Sequence, residues 1–306
     1  MNAVRIYAVI NLSGGTVLKY DSEDAFEQEL RDAFSQAGLD TEFHFGHGKE
    51  LSEAMDKAGD SGADVLLAGG GDGTLRYAAR SAMEAGMVLA VLPLGTINIF
   101  ARDIGMPMDW RESVKLLADG VPTEIDTAEI NGETFLCQCS AGLVPRLAEE
   151  RENVRDESWW RSLLYLPRRF RRSVLHLRRR KMRIAFPDES HEVETWLAVV
   201  TNNRPDQPFS LMLQRGRLDR GTLAVHWAQV SSRWGLLWLL LSYILNWMNT
   251  NPQVQIRDAE SVKITSDRDG LKVDLDGEIR HMQGPLHYRI RPKSLRVLMP
   301  AQKALT

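Results

Sequence analysis

An α/β domain followed by an antiparallel β domain is the architecture this sequence predicts, and three observations predict it. From Val4 to about Val121 short apolar segments alternate with amphipathic ones, the pattern of a parallel sheet with helices packed on it. From about Thr123 the texture changes to strands with apolar residues at every second position, as in an antiparallel sheet with one face on a core. The third observation is Gly69-Gly70-Gly71-Asp72-Gly73-Thr74, directly after the apolar run 63–68. A strand that delivers its C-terminal end into a glycine turn is where α/β proteins hold phosphate. At 306 residues, 43% of them apolar, the chain is long enough for two domains with substantial cores.

Taken in order, the predicted strands of the first part are Val4 to Ile10, Thr41 to Phe45, Asp64 to Ala68 and Val88 to Leu92. A helix from about Ser22 carries Phe26, Leu30, Ala33, Phe34 and Ala37 at helical spacing and ends at Gly38; a second runs from Leu75 to Gly86. The second part holds strand candidates at Glu124 to Ile130, Phe135 to Cys139, Thr195 to Thr201, Thr222 to Val230, Val262 to Thr265, Leu271 to Leu275 and Leu286 to Ile290. A net charge of −3 argues against bulk attraction to nucleic acid. The only cysteines, Cys137 and Cys139, stand two apart in an apparent strand, badly placed to bridge each other, and read as reduced core residues of a cytoplasmic protein. Residues 1–5 run straight into a strand and lack the regions of a signal peptide.

The spacing around Gly69–Thr74 excludes two common phosphate loops. No Lys follows the glycines, as a P-loop requires, and a G-x-G-x-x-G frame from Gly71 ends on Arg76. What remains is a phosphate loop with a carboxylate inside it. Asp72 beside polyphosphate makes sense if the two share a cation, which points to Mg-nucleotide chemistry. Pro93-Leu94-Gly95-Thr96-Ile97-Asn98 follows the next strand, and Asn11-Leu12-Ser13-Gly14-Gly15 ends the first. Parallel neighbours place such loops side by side, so one crevice can take a whole nucleotide. Near the C-terminus, Lys272-Val273-Asp274-Leu275-Asp276-Gly277-Glu278 alternates so that Asp276 and Glu278 share one face of a strand, with a solvated acidic hairpin as the plainer alternative.

Two insertions stand apart. Ten basic residues lie between Arg161 and Arg183, among them Arg168, Arg169, Arg171 and Arg172, interleaved with apolar residues and broken by Pro167. Such a run is either a solvated helix face or a contact with an anionic membrane surface. The apolar stretch from Trp234 to Met248 is shorter than the about 20 residues that span a bilayer.

In order and spacing, the Asn11 loop, the glycine loop at 69–74, Pro93-Leu94-Gly95-Thr96-Ile97-Asn98 and Asp276-Gly277-Glu278 resemble the bacterial diacylglycerol kinase-like lipid kinases, related to sphingosine and ceramide kinases and more distantly to NAD kinases. The resemblance covers nearly the whole chain. It implies an ATP-binding α/β domain over 1–122 with 292–306 returning to it, a β-sandwich lipid-substrate domain over 123–291, and ATP, Mg2+ and a lipid hydroxyl as reactants. It places phosphate contacts on Asn11, Gly69, Gly70, Gly71, Asp72, Gly73, Thr74, Gly95, Thr96 and Asn98. The catalytic carboxylates it implies are Asp276, as proton acceptor, and Glu278; Asp72 helps order Mg, and the roles of Asp72 and Asp276 could be exchanged. It implies a cytoplasmic enzyme peripheral to the inner face of the membrane, and leaves open whether the chain forms a homodimer.

Departures from the family pattern are equally specific. Ile99 follows Asn98 where relatives often carry Asp. In Leu218-Asp219-Arg220-Gly221-Thr222, Arg220 stands where many bacterial relatives have an Asp that binds a structural Mg. A guanidinium there can pair with Asp219, Asp206 or loop carbonyls in place of the ion. Two other readings stay open: a NAD kinase, which shares Gly-Gly-Asp-Gly-Thr, and a nucleotide- or lipid-binding regulator without kinase activity.

Overall fold

The computed structural model describes residues 4–142, 180–206, 214–229, 235, 254–267 and 270–304. The chain divides into two units: residues 1–127, 216–219 and 291–306 form the first, and residues 128–215 and 220–290 the second. The Arg-rich run up to residue 179, with Arg168, Arg169, Arg171 and Arg172, lies outside the described residues, as does the stretch 234–248 apart from Gly235.

The first unit is built on parallel strands. Its elements in order are β1 (Arg5–Asn11), α1 (Glu23–Gln36), β2 (Asp40–Gly46), α2 (Lys49–Lys57), β3 (Val65–Gly70), α3 (Asp72–Ala85), β4 (Val88–Pro93), α4 (Ile99–Asp103), α5 (Trp110–Leu117) and β5 (Val121–Ile130), whose end from Ala128 belongs to the second unit. The strands lie in the order β2-β1-β3-β4, each pair parallel. Because β2 and β3 flank β1 on opposite sides, the order reverses at β1/β3, and the crevice outside the carboxyl ends of those strands is where open α/β sheets bind ligands. Every residue of β3 and β4 is buried, as expected of parallel strands covered on both faces.

Local chemistry sets the helix ends. The Ser22 side chain accepts the Ala25 N–H to cap α1, which buries Phe26, Leu30 and Phe34 four residues apart. Gly38 after α1 and Gly86 after α3 take the left-handed backbone that ends a helix. The sequence places the start of the second helix at Leu75, but α3 begins at Asp72. The glycine loop is therefore short: Gly69 and Gly70 still belong to β3, while Asp72, Gly73 and Thr74 already form the first helical turn.

The second unit is an antiparallel β-sandwich. It continues with β6 (Glu133–Phe135), β7 (Gln138–Gly142), β8 (Arg180–Ala185), β9 (Ser190–Thr195), β10 (Leu197–Asn202), β11 (Leu223–Ala228), β12 (Val254–Ala259), β13 (Ser261–Ser266), β14 (Leu271–Leu275), β15 (Glu278–Met282) and the start of β16 (Leu286–Met299). One sheet has the order β12-β11-β10-β7-β14-β15; in the other β16, β13, β8 and β9 are successive neighbours. Alternate residues of both sheets, including Cys139, Val200, Val225, Val273, Ile264 and Tyr288, fill the core. The last part of β16 belongs to the first unit, where Val297 pairs with Leu89 of β4 in parallel. The helix α6 (Ala301–Ala304) follows.

Three differences from the sequence reading stand out. The single strand expected over Phe135 to Cys139 is two, β6 and β7, because the amides of Leu136 and Cys137 turn to a carboxylate instead of a neighbouring strand. The strand expected over Thr195 to Thr201 is likewise split at Trp196 into β9 and β10. Arg180, Lys181 and Arg183, the end of the basic run, stand in β8. Both cysteines are buried thiols outside any disulfide, and burial raises the pKa of the Cys139 thiol, which keeps it protonated.

Candidate active site

Three loops meet at the carboxyl ends of β1, β3 and β4. The Asn11 side chain, at the end of β1, donates from Nδ2 to Thr74 Oγ1 in the first turn of α3 at 3.0 Å, and its Oδ1 accepts the Ser13 N–H at 2.9 Å. The first loop is thus tied to the glycine loop by a side chain and folded on itself by the same residue. The Thr16 N–H donates to Leu94 O at 3.1 Å, which joins the first loop to the third.

The glycines allow this clasp because there is no room for a side chain. A Cβ on Gly95 would lie 2.4 Å from Gly71 Cα and 2.6 Å from Asn98 Oδ1, and one on Gly70 would lie 2.6 Å from Thr74 Cβ. Gly95→Ala is therefore expected to force the glycine loop and the third loop apart, at a cost of about 1–3 kcal/mol. Thermal unfolding and an ATP titration should show lower stability and at least tenfold weaker nucleotide binding. Gly15→Ala, where a Cβ would meet only Thr96 Oγ1 at 3.1 Å, should be milder.

Asn98 and Asp72 have a clear local task. Asn98 is buried with a left-handed backbone (φ 54°), and its amide closes the third loop by accepting the Gly95 N–H at 3.0 Å and donating to Gly95 O at 2.9 Å. The Asp72 carboxylate accepts the N–H groups of Ile99 at 3.2 Å and Phe100 at 3.0 Å, so the acid inside the glycine loop caps α4. Sequence reasoning named both residues but not these structural roles. It also missed His47, after β2, whose Nδ1 is 2.9 Å from Ser13 Oγ and whose Nε2 is 3.3 Å from Glu23 Oε1.

The carboxylates of the second unit sit at the β14–β15 hairpin. Leu275 pairs with Glu278, so Asp276 and Gly277 form a two-residue turn, both with positive φ (50° and 88°). This corrects the expectation that Asp276 and Glu278 share a strand face, since strand alternation does not run through a turn. Asp276 is buried, and its carboxylate accepts N–H groups from Leu136 at 2.6 Å and from Cys137 and Gln138 at 2.8 Å each. Its own N–H donates to Gln138 O at 3.0 Å. Glu278 is partly exposed and meets Arg280 at 2.8 Å.

Arg220 lies 3.8 Å from the Asp206 carboxylate, and its backbone N–H donates to Asn203 Oδ1 at 2.8 Å. Asp219 instead pairs with Arg217 at 3.1 Å, a contact that lowers the Asp219 pKa. Among the described residues no group of three or more His, Cys, Asp or Glu gathers as a metal cage. A Mg ion that arrives on ATP needs only one or two protein carboxylates, and Asp72 is the one carboxylate within the three loops, each of its oxygens accepting one amide N–H.

Comparison with known proteins decides the family. Residues 5–130 match the diacylglycerol kinase catalytic domain, and residues 141–299 the YegS C-terminal NAD kinase beta sandwich-like domain. A "Probable lipid kinase YegS-like" of Pseudomonas aeruginosa PAO1 is 30% identical over 250 residues, 80% of each chain. The chain belongs to the bacterial diacylglycerol kinase-like lipid kinases. Enzymes of this family are phosphotransferases with an alcohol group as acceptor. A diacylglycerol kinase of Staphylococcus saprophyticus is 23% identical over 217 residues, 70% of each chain. The solved structure of a diacylglycerol kinase from Bacillus anthracis Sterne shares the fold, with a TM-score of 0.70 at 17% identity over 99% of both chains. Within this lipid kinase, Ile99 is an amide donor to Asp72 and Arg220 an ion-pair partner of Asp206. Among the described residues no helix is long and apolar enough to cross a membrane.

Proposed function

We propose that this lipid kinase transfers the γ-phosphoryl group of ATP to a hydroxyl of a membrane lipid such as diacylglycerol, and that Glu278 takes the hydroxyl proton. The observation that carries the nucleotide part is the clasp of three loops at the carboxyl ends of adjacent parallel strands. Asn11, Gly71 to Thr74 and Thr96 are the groups proposed to meet phosphate with N–H groups and hydroxyls, while Gly69, Gly70, Gly95 and Asn98 shape the loops that present them. Asp72 holds the third loop against the glycine loop and is the carboxylate placed to share Mg2+ with ATP. The ion, when bound, neutralises phosphate charge.

The sequence points to Asp276 as the proton acceptor; its hydrogen bonds favour giving that role to its neighbour. Three N–H donors at 2.6–2.8 Å are matched to the ionised Asp276 carboxylate, and taking up a proton would weaken each of those contacts. Glu278, partly exposed and paired at the surface, pays no such penalty. Asp276 then fixes the turn from which Glu278 projects. The basic run with Arg168, Arg169, Arg171 and Arg172 is the proposed contact with the anionic inner face of the membrane, at about 1 kcal/mol for each residue near the surface.

The YegS-type second domain carries NAD kinase in its description, so NAD is the rival acceptor. Purified protein incubated with γ-labelled ATP, Mg2+ and either extracted membrane lipids or NAD separates the two. Label in a phospholipid is the expected result; label in NADP alone would replace the lipid reading.

A further inference from the structure

We infer that Arg215 is a positioning residue for the turn that carries the proton acceptor, acting through the peptide segment 136–138. The inference rests on the function proposed above. Arg215 is 3% exposed, and a buried guanidinium is costly unless its donors are met. Its Nη1 donates to Leu136 O and to Asn202 O, both at 2.7 Å, and its Nη2 reaches Cys137 Sγ at 3.3 Å.

The segment it grips is the one Asp276 grips from the other side. Leu136, Cys137 and Gln138 give all three N–H groups to the Asp276 carboxylate. Their carbonyls are met as well: Leu136 O by Arg215 and by Asn202 Nδ2 at 2.9 Å, Cys137 O by the Asn202 N–H at 2.9 Å, and Gln138 O by the Asp276 N–H at 3.0 Å. The cation thus pulls on the Leu136 carbonyl while the anion pulls on the Leu136 N–H, so the segment is polarised along its length between two opposite charges. Lose the cation and the segment can turn away from β14–β15, taking the Asp276-Gly277 turn and Glu278 with it. An error of about 1 Å in placing a reacting group can cost about a hundredfold in rate.

The test compares Arg215→Met and Arg215→Lys, alone and combined with Glu278→Gln. Arg215→Met should lower kcat by about tenfold to a hundredfold with the KM for ATP unchanged, and Arg215→Lys, which keeps the charge, should recover part of the loss. Combined with Glu278→Gln, Arg215→Met should cost little more, because a misplaced proton acceptor and an absent one are the same defect. Amide exchange at Leu136, Cys137 and Gln138 should quicken in Arg215→Met and less in Arg215→Lys. Losses of kcat that multiply in the double variant, or exchange at 136–138 unchanged in both single variants, would overturn the inference. Should the wild-type protein phosphorylate no lipid, the proposed function fails, and the amide exchange still reports separately whether Arg215 holds the segment.

Discussion

Glu278→Gln should leave a folded, ATP-binding protein that phosphorylates lipid about 10²–10⁴-fold more slowly, the range lost with a general base. The residue is partly exposed and its pairing with Arg280 lies at the surface, so stability should change by no more than about 1 kcal/mol. Asp276→Asn should behave differently. An amide in place of the carboxylate turns its NH₂ group toward one of three N–H donors, and a buried donor left unmet costs about 1–3 kcal/mol. Thermal unfolding should therefore fall for Asp276→Asn and hold for Glu278→Gln, while both lose turnover. If Asp276→Asn kept its stability and Glu278→Gln kept its turnover, the proton would belong to Asp276 after all.

Asp72→Ala is expected to act on nucleotide binding before it acts on metal. Without the carboxylate, the N–H groups of Ile99 and Phe100 lose their acceptor, α4 loses its cap and the third loop loses its tie to the glycine loop. Calorimetric titration should show ATP binding weakened roughly tenfold or more even without Mg2+, the equivalent of about 1.4 kcal/mol. Adding Mg2+ should not close the gap. A deficit seen only with the metal present would instead make Asp72 a metal ligand and nothing more.

The fold was legible where periodicity was strong. The apolar runs of β1, β3 and β4, the spacing of Phe26, Leu30 and Phe34, and the glycine stops at Gly38 and Gly86 all stand in the sequence as the structure uses them. The strands without that signal are edges. β12 and β15 end their sheet, carry polar residues on both faces and so show no clean alternation.

At the site, the glycine loops were readable because only glycine permits the approach of Gly95 to Gly71. The roles of the acids were not, since they depend on partners far away in the chain: Asp72 on residues 27 and 28 positions later, Asp276 on residues about 140 positions earlier. A local signal for the turn did exist, because Asp276-Gly277 between alternating residues is a hairpin dipeptide, and reading it so would have removed the shared strand face. Arg215 had none. In Gln214-Arg215-Gly216-Arg217 it looks like any surface cation, and only the Leu136 and Asn202 carbonyls that surround it reveal a buried one.

The most direct test of phosphoryl transfer to lipid is the stoichiometry of the reaction in mixed micelles of diacylglycerol, ATP and Mg2+, with phosphorylated lipid and consumed ATP measured in the same samples. The account predicts one phosphorylated lipid for each ATP consumed, with little inorganic phosphate released. ATP consumed with its phosphate appearing only in water, or no consumption with any lipid hydroxyl supplied, would contradict it.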